Sequence, residues 1–192
     1  MKIILCVFQI GKRGGKERDC LAVGRFLAQR GHDVIIATTS PQSETEAPLR
    51  LKTLPVSGVS NHARALNFAI ATNDYIAAEK PEIVIAFDRI PNADFYYATD
   101  AAIALRNSGI RAWLPRHRTY LALERAILQP SSPTRIFFLT ERQRDEYAAA
   151  YHLDPSRATV LPIILHDERH NAARHHAPRD LTRAQLEIPE GA

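Results

Sequence analysis

Apolar and polar positions along this chain fall into blocks of two kinds. Residues 2 to 8 (KIILCVF) are a short apolar run, the pattern of a strand buried on both faces. From Glu17 to Arg30 the apolar residues Leu21, Val23, Phe26 and Leu27 recur at helical spacing instead. Gly31 stands where a helix C-terminal cap is expected, and residues 34 to 39 (VIIATT) read as a second buried strand. Strand, helix, strand in that order is a βαβ unit, whose parallel strands require helices on both faces of the sheet.

The alternation continues. Residues 40 to 48 are a Ser/Pro/Glu-rich loop, and 49 to 56 (LRLKTLPV) alternate like an exposed strand. A long helix is expected over 61 to 81, with Asn61 as its cap and Pro81 placed after its end. Residues 82 to 87 (EIVIAF) predict another buried strand. Two more, TRIFFLT from 134 and RATVLPI from 157, flank a helix from Glu141 to Tyr151. The fold class is therefore α/β, a Rossmann-like doubly wound parallel sheet over residues 1 to 165. From His166 the sequence turns polar and aperiodic, so 166 to 192 reads as linker ending in a short helix and a Pro-containing turn.

Candidate chemistry begins with GKRGGKERD at 11 to 19, directly after the first strand. Ligands in doubly wound sheets sit outside the carboxyl ends of the strands. Glycines there let a ligand approach the backbone, and the next helix aims its free N–H groups at the same place. Lys12, Arg13, Lys16 and Arg18 add a preference for negative charge. The spacing matches neither GxGxxG nor GxxxxGK[ST], so neither a dinucleotide nor a P-loop site is supported. Two readings stand: a holder for an anion or sugar hydroxyl, and a tight strand-to-helix turn. Asp19 likewise reads either as a site residue or as a first-turn carboxylate favoured by the helix dipole.

Charge adds a second candidate. The 192 residues are 45% hydrophobic and 24% charged, with a net charge of +4 and a pI near 9.3. The excess is concentrated in 106 to 129, where Arg106, Arg111, Arg116, Arg118 and Arg125 accompany a single acid, Glu124. Trp113, Leu114, Tyr120, Leu121, Leu123, Ile127 and Leu128 are interleaved, at helical spacings from 116 onward. Such a helix suits an anionic lipid surface, with arginine stems snorkelling and Trp113 at headgroup level. It equally suits a core-facing helix with a solvated basic edge. Nucleic acid is not expected, since no recognised motif or stacking platform accompanies the basic residues.

Other classes fall away. No apolar stretch approaches the roughly 18 residues of a membrane span, so the protein is expected to be soluble or bound at a membrane surface. Cys6 and Cys20 sit in apolar runs and read as buried small residues in a reducing setting. His166, His170, His175 and His176 lack metal-site spacing and read as solvated linker. Glu17 and Asp19, two residues apart, face different sides of a helix, which excludes a paired-carboxylate glycosidase.

GGKERD, NHAR, IAFDRIPNADFYYATD, RHRTYLALERAIL, LTERQRDEY and RATVLP follow one another from the first strand onward. This series resembles the N-terminal domain of the family 4 glycosyltransferases of GT-B fold, and among them the enzymes that glucosylate inner-core heptose of lipopolysaccharide. The likeness runs from Met1 to about Arg169. It implies two Rossmann-like domains facing across a cleft, the N-terminal one taking mainly the acceptor and the C-terminal one the nucleotide sugar. By the resemblance, Gly14 and Gly15 approach the donor's diphosphate and glucose, Arg169 reaches the donor phosphates, Asp19 lies near the sugar, and Asp100 lines the cleft.

The implied reaction is retaining glucosyl transfer from UDP-glucose to a heptose hydroxyl, with no metal and no cofactor. The implied acceptor is lipid-anchored, which places the protein in the cytoplasm on the inner face of the inner membrane. Arg106, Arg111, Trp113, Arg116, Arg118, Tyr120 and Arg125 then become a membrane-docking set. Ile163 and Ile164 stand where the family continues with proline and glycine. RAQLEIPEGA resembles the lead-in to a C-terminal domain that these residues lack, so the chain alone is expected to be inactive or nearly so. The alternative is a non-catalytic module that docks on an anionic membrane or on the acceptor.

Overall fold

The apolar runs build one sheet. In a computed structural model, which describes residues 1–10, 14–40, 49–106 and 109–161, the strands are β1 (Lys2–Cys6), β2 (Asp33–Thr38), β3 (Arg50–Thr53), β4 (Ile83–Ala86), β5 (Phe95–Ala98), β6 (Arg135–Phe138) and β7 (Ala158–Val160). The helices are α1 (Gly15–Gln29), α2 (Asn61–Glu79), α3 (Pro115–Leu128) and α4 (Glu141–Tyr151). The strands lie in the order β3-β2-β1-β4-β5-β6-β7, and among the described residues every pair of neighbours is parallel. All described residues fall within one compact unit, Met1–Leu161. Lys12, Arg13, Ile163, Ile164, Arg169, the four tail histidines and the linker from 166 lie outside the described residues, as does the side chain of Arg111.

Period-two alternation sorts each strand between two cores. Ile3, Leu5 and Val7 of the first strand region face α1, packing with Val34, Ile36, Leu49, Leu51 and Cys20. Ile4 and Cys6 face the other way, into a larger core with Phe68 of α2, Leu123 and Ile127 of α3 and Tyr147 of α4. The doubly wound α/β expectation therefore holds, and it explains why these strands read as continuous apolar runs. Both cysteines are buried and free, on opposite faces of the sheet.

Some boundaries differ from the sequence expectation. The cap of α2 is Ser60, whose hydroxyl accepts from the Ala63 N–H at 3.3 Å; Asn61 is already the first helical residue. Both residue types cap well, so the sequence alone does not decide between neighbours. Residues 95 to 98 form a strand the hydrophobic pattern did not flag, because Asn92 turns the chain at φ 66° only a few residues after β4. The basic stretch is not continuous helix. A 3₁₀ turn at Ile110–Trp113 precedes α3, which starts at Pro115, where a proline's missing N–H costs nothing. Buried Arg157 fixes the far end of α3: its guanidinium donates to the carbonyls of Ile127, Gln129 and Thr134, each at 2.9 Å. A cation at a helix C-terminus also complements the dipole.

Two helix ends make a paired test. After α1, Gly31 (φ 80°) donates to Ala28 O and His32 to Leu27 O, a Schellman closure. After α2 the same left-handed position is taken by Lys80, at φ 46°. A side chain in that region costs about 1–2 kcal/mol. Gly31→Ala is expected to lower unfolding free energy by roughly 1 kcal/mol, and Lys80→Gly to raise it by about 0.5–1 kcal/mol, both read by urea denaturation. Equal shifts of the same sign would contradict the assignment.

Candidate functional site

In the observed strand order, the chain leaves β1 toward β2 on one side, while β4 lies on the other side of β1. Connections departing in opposite directions open a crevice at the carboxyl ends of these two strands. A cleft of about 320 Å³ lies there, lined by Phe8, Lys16, Arg64, Asp88, Arg89 and Tyr120 among others.

Asp88, just past β4, organises its floor. One carboxylate oxygen accepts from the Phe8 N–H at 2.7 Å, and the other from Lys16 Nζ at 2.5 Å. Burial works against the Lys16 charge, but Asp88 outweighs it and holds the ammonium pKa above its ordinary value. One side chain thus ties the ends of β1 and β4 to the first turn of α1.

The glycine turn sits beside it. Gly14 is the N-cap of α1 at φ −93°, and Gly15 begins the helix. Neither needs a left-handed backbone, so what glycine provides here is space. A Cβ on Gly15 would meet nothing within 4 Å, whereas one on Gly14 would lie 1.8 Å from a carboxylate oxygen of Glu17. Gly15 therefore presents open backbone, and the Glu17 carboxylate folds over Gly14.

Arg89 carries the second half of the framework. Its Nε donates to Glu124 at 2.9 Å and its Nη1 to Asp100 at 3.1 Å. Glu124, on the inner face of α3, is 0% exposed and also accepts from the Ile103 N–H at 2.6 Å and from the Tyr151 hydroxyl. The Tyr147 hydroxyl lies 3.4 Å from Glu124 and 3.1 Å from the Asp100 carbonyl. Burial first, and then Glu124, pushes the Tyr151 phenol far above its ordinary pKa, so it stays a donor. This cluster joins α3, α4, β4 and the segment after β5.

The residues singled out from the sequence are distributed as follows. Asp100 meets Arg89 and, through its carbonyl, Gln143 at 2.9 Å. Asp19 lies one turn into α1 and accepts from the Tyr97 hydroxyl at 3.1 Å, against the α1 face of the sheet rather than in the cleft lining. Trp113 is 78% exposed, and Arg106, Arg116, Arg118 and Arg125 are exposed on the same segment. Tyr120 lines the cleft. The inner positions Leu123, Ile127 and Leu128 are buried, so α3 is a core helix whose outer face is basic. Sequence reasoning missed Asp88, Arg89 and Glu124. Their signal was an Asp-Arg pair closing an apolar strand and a lone acid within a basic helix. Among the described residues no cluster suited to a metal ion occurs, and no helix is long and apolar enough to cross a membrane.

A Rossmann-like parallel sheet with flanking helices and a cleft at its switch point has the architecture of one half of a GT-B fold. Residues 13–169 match the family model described as Glycosyltransferase Family 4, and the chain belongs to that family. It is 25% identical over 194 residues to the lipopolysaccharide glucosyltransferase WaaG of Escherichia coli K12, a match covering 99% of this chain and 52% of that protein. The crystal structure of WaaG, a glycosyltransferase involved in lipopolysaccharide biosynthesis, superposes with a TM-score of 0.85 at 24% identity, over 98% of this chain and 52% of that one. A glycosyltransferase from Rickettsia africae gives 0.56 at 13% identity, over 100% and 50%. The chain thus spans about half the length of these relatives.

Two outcomes test the framework. Glu124→Ala removes the buried partner of Arg89 and is expected to cost about 3 kcal/mol or more of stability. Asp100→Ala removes a partner whose side chain is 51% exposed and should cost less than about 1 kcal/mol. Urea denaturation separates them, and equal costs would refute the hierarchy. The second outcome concerns Tyr97, whose phenol is pushed up from 10.0 to about 12 by burial and then by Asp19. The folded state keeps this proton when the unfolded chain has lost it, so stability falls as pH rises between those values. Asp19→Asn should lower the Tyr97 pKa, read by NMR titration of its ring; an unchanged value would separate the two groups.

Proposed function

We propose that this chain supplies the acceptor side of a retaining glucosyltransferase that moves glucose from UDP-glucose to inner-core heptose of lipopolysaccharide. The observation that carries the reading is the cleft lined by charged side chains at the β1/β4 switch point, beside open backbone at Gly15, in a chain of the Glycosyltransferase Family 4. The name of the E. coli relative favours lipopolysaccharide and glucose.

In this reading the donor diphosphate approaches Gly14, Gly15 and Arg169. The free N–H groups of the α1 N-terminus and nearby cations stabilise the charge that builds on the leaving UDP. Asp100 and Asp19 serve the sugar side. Asp100 is held by Arg89; Asp19 must exchange its Tyr97 contact for a sugar hydroxyl. The bond between the anomeric carbon and UDP breaks, the heptose oxygen takes its place with retention, and its hydroxyl proton is released. No metal or cofactor enters.

Docking belongs to the outer face of α3 and the turn before it. Trp113 and Leu114 stand exposed beside Arg116 and Arg118, with Arg106 and Arg125 exposed on the same segment; Arg111 and Tyr120 join the set by their place in the sequence. An anionic cytoplasmic leaflet attracts such a surface by about 1 kcal/mol per basic residue. The alternative reading is a module that docks on an anionic membrane or on the acceptor without transferring, through the same exposed basic and aromatic residues.

Transfer is tested with labelled UDP-glucose and lipopolysaccharide lacking the glucose. This chain alone is expected to show little or no turnover, and turnover is expected when a family nucleotide-sugar domain is joined to it. No turnover in the joined protein would favour the docking module. For docking, Arg116→Glu with Arg118→Glu should weaken sedimentation with anionic vesicles at least about tenfold; unchanged binding would remove α3 from the role.

A further inference from the structure

The cleft holds a cation that the preceding reading leaves unused, opposite in charge to Glu17, which also lines it. Arg64, in the first turn of α2, lines it together with Lys16 and Arg89. Those two cations are ion-paired, Lys16 with Asp88 and Arg89 with Glu124 and Asp100, although the buried Nη2 of Arg89 has no partner among the described residues. Among the described residues Arg64 has no carboxylate within ion-pair distance and no acceptor for its guanidinium. What it has is a fixed position. The guanidinium carbon stands 5.4 Å from the centre of the Phe8 ring, which in turn meets Phe68 edge-on at 5.3 Å. Its stem is closed over by the preceding turn: a Cβ on Gly58 (φ 142°) would lie 3.0 Å from both Arg64 Cγ and its backbone N.

A half-buried guanidinium beside an aromatic ring, with no acceptor among the described residues, suits an oxyanion, which arginine binds in a planar fork. Asn61 lies three residues earlier on the same helix face and lines the same cleft, in reach of a neighbouring hydroxyl. The floor beneath is apolar, made by Phe8, Phe68 and Leu123. An apolar floor with a few placed polar groups suits a saccharide ring rather than a bare ion.

We propose that Arg64 is an anion-binding residue for the acceptor, taking a carboxylate or phosphate carried on a saccharide whose ring rests on Phe8. The proposal rests on the acceptor-side reading above, in which the glycine turn serves the donor. It adds that the acceptor is recognised as an anionic sugar by a residue on α2.

The test is an NMR titration of the full 192-residue chain with methyl glucoside, glucuronate, mannose 6-phosphate, inorganic phosphate and UDP-glucose. At least one anionic sugar is expected to bind roughly tenfold or more tightly than the neutral glycoside, a difference of ~1.4 kcal/mol. That preference should shrink with added salt. Arg64→Gln should abolish it, and Arg64→Lys should keep part of it. The glucuronate and mannose 6-phosphate arms distinguish carboxylate from phosphate. Dispersed spectra of both variants show that the fold is kept, and Lys retains the charge if Gln does not fold.

No preference for an anionic sugar in the wild type, or a preference that survives Arg64→Gln, overturns the proposal. Inorganic phosphate binding as well as mannose 6-phosphate would mark a bare anion site and overturn the saccharide part. Loss of UDP-glucose binding in Arg64→Gln, with sugar binding unchanged, would assign Arg64 to the donor and likewise overturn it. The transferase reading is judged separately by turnover of the joined protein, which none of these titrations measures.

Discussion

Asp88 is the constraint on which the cleft depends. Two parallel strands whose connections leave in opposite directions have nothing of their own to hold their ends in register beyond the ladder. Here a single carboxylate bridges them, accepting the first N–H beyond the paired residues of β1, apart from Val7, and the ammonium of Lys16. The position of α1, and with it the open backbone at Gly15, follows from that bridge. Its two acceptor atoms are both used, so the carboxylate is held in one orientation.

The neighbouring residue does the opposite job with the opposite charge. Arg89 turns into the protein and meets Glu124, which is fully buried. A buried pair of this kind is a poor source of net stability, because an apolar replacement of the same volume avoids the desolvation cost. Its value lies in geometry. It fixes which way Arg89 points, hence where Asp100 stands, and Glu124 draws the β5–α3 connection and the end of α4 onto one acceptor. The core helix α3 therefore has an acidic inner anchor and a basic outer face, with different physical reasons for each.

The fold was largely legible because burial on both faces leaves an unmistakable apolar signature. Strands β1, β2, β4 and β6 and helices α1, α2 and α4 came from period alone. Where two residues satisfy the same local rule, as Ser60 and Asn61 do, local chemistry does not choose. Strand β5 was obscured because it is only four residues long and follows β4 after the short polar turn at Asn92. The cleft was legible at its rim, through the glycines, and illegible at its centre. Asp88, Arg89 and Glu124 are ordinary charged residues until the sheet order brings positions 8, 88 and 124 together. Asp19 was legible by its position after the glycine turn, but its contact with the Tyr97 hydroxyl was not, because the hydrophobic pattern did not flag β5.

The placement of β1 between β2 and β4 has a consequence for how the protein is made. The β1–β2 pairing spans about thirty residues and encloses α1, so it can form as soon as that length of chain exists. The β1–β4 pairing joins Ile3 to Ile83, and its closure carries a larger loop entropy. Contacts of such sequence separation form slowly and late. During synthesis the edge of β1 must therefore wait, unpaired, until the chain beyond residue 88 has emerged. The cleft is among the last features of the domain to exist, and an apolar strand edge is exposed to rival pairings in the interval.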